Sequence, residues 1–460
     1  MSQQSRLSCN AFKLGLLGAF SLAQIAFGST IAVIDSGVDF KHPMLQNHAW
    51  VNANEIAGNN TDDDQNGYVD DINGWNIIEN NNKLLDYKYV GTFSPDMKRF
   101  FEIQKKMLEG SAAAEEIAWL KKNVEDKKFI KQLMKFGNFV HGTHVAGISA
   151  SKSDAAHILG VKLIPTESPF GFDSSLMSNL EAAPSDEIKE TILKVLISQF
   201  ANFQMQIFTD ISKYIGGEKS DVANLSLGTN TVALQPLLKG VLRIAFGRDA
   251  SAEELDTWSK FLVNSMVESG RNFVGQSPET LFVFAAGNDG KNNDEFPVSP
   301  ANIKSTNTLT VAATQGQAKI ARFSNFGVKH VDVAAPGVGI QSAMPGGDTL
   351  YLSGTSQAAP FVSGVAGKIK DTNSDLSAQE IRRIIMETVD KKDWLADKVL
   401  SGGIVNAERA AAAAKMSISI SLTLAIAQAK LDVADVPTLL SDFNFNDENI
   451  FVLPLASFLK

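Results

Sequence analysis

The chain has 460 residues, 44% of them hydrophobic, which is enough for a sizeable core in one large α/β unit carrying insertions. Its 42 basic residues against 51 acidic ones leave a net charge of -9, arguing against a nucleic-acid or anionic-membrane partner. One cysteine, Cys9, rules out a body stapled by internal disulfides.

Residues 1–28 read as a secretory signal. Arg6 and Lys13 flank its start, Leu14 to Phe27 is mostly apolar, and Ala26-Phe27-Gly28 offers small residues for cleavage before Ser29. The apolar run is short for a bilayer span, and a buried N-terminal helix is the alternative. Cys9 precedes the apolar run, so it is not placed for lipid attachment and would leave with the signal. The expected location is therefore secreted or periplasmic, with no stable membrane span after cleavage.

Thr30 to Ile34 is a continuous apolar run suited to a parallel strand buried on both faces, and it ends at Asp35. Next comes Asp62-Asp63-Asp64-Gln65-Asn66-Gly67-Tyr68-Val69-Asp70-Asp71-Ile72-Asn73. Asp62, Asp64, Asn66, Tyr68 and Asp70 stand where a calcium loop places its oxygen ligands, with Gly67 at the sharp turn. The last position is Asn73 instead of a bidentate glutamate, and a metal-free acidic turn is the alternative. Residues 83–138 follow as amphipathic helices, with Met97, Phe100, Phe101, Leu120, Ile130 and Leu133 interleaved with Lys and Glu. This stretch is either a solvated helical face or a lid over a cleft.

His141-Gly142-Thr143-His144-Val145-Ala146-Gly147 places a histidine at the start of an expected small-residue helix. Residues 165–185 look like a loop leading into a helix over Glu187 to Tyr214, and 230–275 is a further helical excursion in which Ser251 starts a helix. Leu281 to Ala286 is a second buried strand, ending at Gly287-Asn288. Ser353-Gly354-Thr355-Ser356-Gln357-Ala358-Ala359-Pro360 leads into a helix over Ser356 to Lys370, with Pro360 expected in its first turn. A helix opens near Leu376-Ser377, an Ala-rich one runs over 407–415, and residues 416–460 carry no motif. The sum is an α/β fold in three layers, a mostly parallel sheet with helices on both faces.

Asp35, His141 and Ser356 form, in that chain order, an acid, a base and a nucleophile, each embedded in small residues that permit close approach. A serine hydroxyl needs a base to become nucleophilic, and an imidazole titrates in the right range. His42, His48, His157 and His330 carry no motif.

The segments Val33-Ile34-Asp35-Ser36-Gly37, His141 to Gly147, Phe284-Ala285-Ala286-Gly287-Asn288-Asp289 and Ser353 to Pro360 resemble, in order, the four signature blocks of the subtilisin-like serine proteases. The resemblance covers most of residues 31–412 and implies a subtilisin-like peptidase domain over 29–415, interrupted near 83–138, 165–185 and 230–275, with 416–460 as an extension. It implies a serine endopeptidase acting through an acyl-enzyme, with Asn288 and the backbone N–H of Ser356 as oxyanion donors. It implies a structural role for His144. Leu225, Ser226, Leu227 and Gly228 would form an edge strand that pairs with an extended peptide, and Ala285, Ala286 and Gly287 would line the pocket beside it. The chemistry needs no cofactor, calcium would be a structural ion, and a monomer acting on protein or peptide is expected. Two alternatives come from other classes: a catalytically silent binding protein on the same fold, and a calcium-binding surface protein. Signal cleavage before Ser29 would leave almost nothing ahead of Asp35, so the chain folds unaided or an insertion or the C-terminal tail holds it, where most secreted relatives use an N-terminal prodomain.

Overall fold

A computed structural model describes residues 28–167, 185–439 and 450–453. The expected signal segment and most of the 165–185 stretch lie outside these residues. Strand β1 (Thr30–Asp35) pairs in parallel with β3 (His157–Lys162), which pairs with β2 (Gly74–Asn76) at the sheet edge. On its other side β1 pairs with β4 (Val222–Leu225), and the sheet continues in parallel through Leu281–Ala285, Thr308–Gln315, Val333–Pro336 and Gly403–Ile404. Asp390–Lys391 is antiparallel at that far edge.

The chain first builds outward from β1 through β3 and then jumps back across it to β4, so the winding direction reverses between β1 and β4. At such a reversal the connections leave the strand ends in opposite directions and open a crevice beyond their carboxyl ends. Asp35 ends β1, and residues 226–228 leave the end of β4.

Both faces of the sheet are covered, and β1 shows it residue by residue. Ile31 and Val33 join a core with Val145, Ala146, Ala358, Val362, Val365 and Ile384, whereas Ala32 and Ile34 join Leu193, Phe208, Leu262, Phe282 and Phe284 on the other side. Successive side chains of a strand point to opposite faces, so a continuous apolar run is what a doubly covered strand needs. Each fully buried Ile or Phe contributes about 1.5–3 kcal/mol.

The 83–138 stretch forms α1 (Pro95–Leu108), α2 (Ala114–Val124) and the first half of α3 (Lys127–Ala150). Met97, Phe100, Phe101, Leu120, Phe129, Leu133, Phe136, Phe139 and Val140 make a satellite core of their own. The expectation that His141 opens a helix is corrected: α3 starts fourteen residues earlier, where Asp126 caps it by accepting from Lys128 N at 2.8 Å. No proline interrupts 127–150, and Phe129, Leu133, Phe136 and Val140 keep one helical face apolar up to the histidine. The insertion is thereby rigidly continuous with the histidine block.

The 230–275 excursion folds as helices Thr231–Phe246 and Ala252–Gly275, the second with a Ser251–Glu254 capping box. Beyond residue 415, helix Leu422–Asp432 buries Ala425, Ile426 and Ala429, the latter two in the main core. Arg409 reaches Asp390 at 2.9 Å and Asp435 at 2.6 Å, so the chain stays bound to the body past the Ala-rich helix Ala407–Ser417.

Candidate active site

His141 Nδ1 lies 2.8 Å from Asp35 Oδ1, with both side chains out of solvent. The same Asp35 oxygen accepts from Ser36 N at 2.7 Å, which fixes the carboxylate at the strand end. Gly142 is what lets α3 come this close: a Cβ there would stand 2.3 Å from the Gly37 carbonyl oxygen. One turn on, His144 Nε2 donates to Leu350 O at 2.9 Å and pins the hairpin Ile340–Met344/Asp348–Leu352 to α3. Burial pushes the His144 imidazole down to about 3, against which its carbonyl partner works, so it is neutral and structural.

Ser356 is the second residue of helix Thr355–Thr372. Its N–H stands in the first turn, where no intrahelical acceptor exists. Pro360 proves to lie in the second turn, not the first, and there it withholds the N–H that would bond the Ser356 carbonyl. Ser226 supplies the substitute: its hydroxyl donates to Ser356 O at 2.9 Å. In return Ser356 Oγ donates to Ser226 O at 3.1 Å, and among the described residues it makes no hydrogen bond to His141. Asn224 Nδ2 donates to Ser226 Oγ at 3.0 Å, and Ser363 donates to Asn224 Oδ1 at 2.9 Å, completing a buried polar link between β4 and helix Thr355–Thr372. Sequence reading missed Asn224 and Ser363, since neither stands in a motif.

Asn288 is oriented by its oxygen. Thr355 N and Thr355 Oγ1 each donate to Asn288 Oδ1 at 2.9 Å, which leaves the amide N–H groups facing the cleft. There Nδ2 donates to the Leu453 carbonyl at 3.3 Å. Gly287 has φ +119°, and a Cβ at that position would stand 2.4 Å from Asn325 Nδ2, so only glycine fits the turn that delivers Asn288.

The residues expected to bind substrate divide. Leu225 is not on an edge: it pairs with Phe284 inside the sheet and its side chain is fully buried. Ser226, Leu227 and Gly228 continue past the strand end toward Ser356. Ala285 and Ala286 turn their side chains into packed clusters instead of a pocket, so only backbone can face the cleft there.

In the acidic loop, Glu55, Asp62 and Asp64 each bring an oxygen within 4.8 Å of the others. Asp70 is not among them; its carboxylate accepts from Gly58 N, Asn59 N and Asn60 N, just as Glu55, Asp62 and Asp64 accept backbone N–H groups of the same loop. Asn66 Oδ1 accepts from Tyr68 N, and its amide reaches Asp64, Asp71 and Glu218. The Glu218 carboxyl is pushed up to about 7 by burial, reinforced by Asp71, Asp64 and Glu55. Glu55 and Glu218 carry no signal in the sequence, one preceding the loop and the other ending a distant helix. His42, His48 and His330 hold Asp348 O, Ala156 O and Asp294 respectively, well away from this chemistry.

The sequence profile of the subtilase family matches residues 27–407, which takes in the aspartate, histidine, asparagine and serine blocks together. The chain belongs to the subtilase family. Over 271 residues this subtilase is 31% identical to M-protease of Shouchella clausii, covering 59% of the present chain and 54% of that protein. It is 29% identical over 270 residues to subtilisin Savinase of Lederbergia lenta, covering 59% and 77%. The subtilase thus spans about half the length of the first of these relatives. A solved cold-adapted subtilisin-like serine proteinase aligns over 82% of this chain and 89% of its own at 19% identity and TM-score 0.42, too distant for roles to be carried across. No helix of the described residues is long and apolar enough to cross a membrane.

Proposed function

We propose that this subtilase is a serine endopeptidase that cleaves peptide bonds through an acyl-enzyme. The observation that carries the reading is the buried contact between His141 Nδ1 and Asp35 Oδ1, which holds the imidazole in the tautomer whose Nε2 is a base. Ser356 Oγ would turn from Ser226 O to His141, pass its proton to Nε2 and attack the carbonyl carbon. Asn288 Nδ2 and Ser356 N would hold the resulting oxyanion. His141 then returns the proton to the departing amine as the C–N bond breaks, and a water repeats the sequence on the ester. Asp35 accepts from Nδ1–H throughout and stabilises the imidazolium. Substrate would lie extended along the backbone of Ser226, Leu227 and Gly228 and that of Ala285 to Gly287.

A fluorophosphonate that reacts with activated serines tests this directly. Labelling of the full chain that disappears in Ser356→Ala supports catalysis; folded protein that never reacts sinks it. No observation favours a catalytically silent binder. Digestion of a peptide library by the full chain would define the cleavage preference.

Export is part of the same reading. Ser29 N donates to Asp371 Oδ1 at 2.5 Å, so an amino terminus freed before Ser29 would gain an ion pair there. N-terminal sequencing of the exported protein tests this, and a start other than Ser29 rejects that cleavage point. For calcium, the three convergent carboxylates Glu55, Asp62 and Asp64 offer the hard oxygen donors such an ion selects, in a structural role. A melting temperature that rises with calcium in the parent and not in Asp62→Ala supports it; equal curves reject it.

A further inference from the structure

Residues 450–453 return from the C-terminal end of the chain to the mouth of the active site. Leu453 places its carbonyl oxygen 3.3 Å from Asn288 Nδ2. Val452 stands against Gly354, where a Cβ would meet its Cγ1 at 3.5 Å. Phe451 sets its ring edge-on to Phe100 of α1, centroids 5.4 Å apart, and its N–H donates to Gln104 Oε1 at 3.1 Å. Leu453 covers Gly137 of α3, where a Cβ would come within 3.1 Å of its side chain. Ile450 packs on the main core, while Phe451 and Leu453 pack on the satellite core of the insertion.

We propose that α1 and α3, together with Asn288, form a binding site for an extended, uncharged peptide with an aromatic residue followed two positions later by leucine, and that its ligand is this chain's own Ile450–Leu453. Three features converge. The segment carries no charge, matching the apolar satellite core on which Phe451 and Leu453 pack, with Phe100 against the Phe451 ring. Its polar contacts go to Gln104, which is 5% exposed, and to Asn288: the segment's backbone gives Gln104 Oε1 a donor and Asn288 Nδ2 an acceptor, while Gln104 Nε2 has no partner among the described residues. Gly137 leaves room on α3 that the leucine fills. The consequence rests on the proposed hydrolytic function: the Leu453 carbonyl and Val452 occupy the space beside Asn288 Nδ2 and Gly354 that a substrate carbonyl would need, so tail and substrate exclude one another. Being tethered, the tail acts at an effective concentration on the order of millimolar. The insertion is then the receptor of an intramolecular competitor, which gives a reason for its helix to run without a break into the histidine block.

The test uses the full chain and two variants of it, Phe451→Asp/Leu453→Asp and the milder Phe451→Ala/Leu453→Ala, each checked for folding by circular dichroism. The first readout is independent of catalysis: a fluorescein-tagged peptide Ile-Phe-Val-Leu, acetylated and amidated at its ends, is titrated in anisotropy in a Ser356→Ala background. The vacated site of either variant should bind the peptide at least roughly tenfold more tightly than the parent chain does, because the parent's own tail competes. The second readout is the rate of fluorophosphonate labelling at Ser356 without the Ser356→Ala change, expected to rise roughly tenfold in the variants. Peptide binding gained with no labelling of any form would uphold the site while rejecting the hydrolytic reading. Peptide binding equal in parent and folded variants, or absent from all, overturns the proposed site whatever the labelling shows. If the aspartate pair does not fold, the alanine pair decides between these outcomes.

Discussion

Ser226 and Ser356 exchange two hydrogen bonds: the hydroxyl of each donates to the carbonyl of the other, at 2.9 Å and 3.1 Å. The first fills the place left by Pro360, which has no N–H for the Ser356 carbonyl, and the second holds the Ser356 hydroxyl against the strand end, from which the proposed attack would require it to turn toward His141. Ser226→Ala leaves a buried carbonyl without its donor and should destabilise the fold by about 1–3 kcal/mol. Urea denaturation reads the loss; a change below a few tenths of a kcal/mol would mean that the carbonyl finds another partner.

Asp35→Asn would keep the contact to His141 but reverse the tautomer, leaving a protonated nitrogen toward Ser356. kcat should fall on the order of 10⁴-fold with little change in KM. Asn288→Ala removes the donor proposed to hold the oxyanion, so kcat should fall by roughly 10²–10³-fold, the range known for a subtilisin that loses this donor. Steady-state kinetics on a peptide cleaved by the parent protein decide both, and a fall confined to KM would contradict these roles.

Gly142→Ala places a methyl group against the Gly37 carbonyl, where 2.3 Å is available. The backbones of α3 and β1 must part, at about 1–3 kcal/mol in stability. Because the same movement separates His141 from Asp35, kcat should drop in step with the loss in stability.

His144 gives stability a pH dependence of known sign. In the unfolded chain it takes up a proton near 6.5, whereas in the fold burial holds its pKa down to about 3. Between these values the unfolded state binds the extra proton, so stability falls as pH drops, by at most about 1.4 kcal/mol per pH unit. His144→Gln should flatten the dependence between pH 6.5 and about pH 3 relative to the parent, measured by denaturant midpoints at each pH. Parallel curves would show that the imidazole is not the group responsible.

Arg409 and Asp390 are both buried, and Arg409 also holds the carbonyls of Thr388 and Val433. Arg409→Met leaves the Asp390 carboxylate with Asn406 and Val436 N as donors but without its counter-ion, and should cost about 3–5 kcal/mol, visible as a large drop in melting temperature. Replacing Asp435 instead, exposed by more than half, should cost under about 1 kcal/mol.

The candidate catalytic residues were legible because each is bracketed by small residues and lies at or within a strongly patterned element. Asp35 ends a fully apolar strand run, and Asn288 follows another. The elements themselves were equally plain where periodicity was strong, as at Glu187 to Tyr214 within the observed helix Asp186–Gly217. What was not legible is that α3 runs unbroken from Lys127 through His141: Asp126 marks its start, but the small-residue run at His141 reads as a helix start of its own.

Sequence alone determined the family and the layered fold and singled out Asp35, His141, Ser356 and Asn288 as candidate acid, base, nucleophile and oxyanion donor, since these depend on residue type and order along the chain. Tertiary structure decided which oxygens converge in the acidic loop, that Ala285 and Ala286 face the core, that Ser226 repairs the gap left by Pro360, and that Leu453 reaches Asn288. Those are contacts between residues up to 165 positions apart, made by the reversal of strand order and the packing of helices. Local pattern records what a segment can form; only the folded chain sets which distant groups share a site.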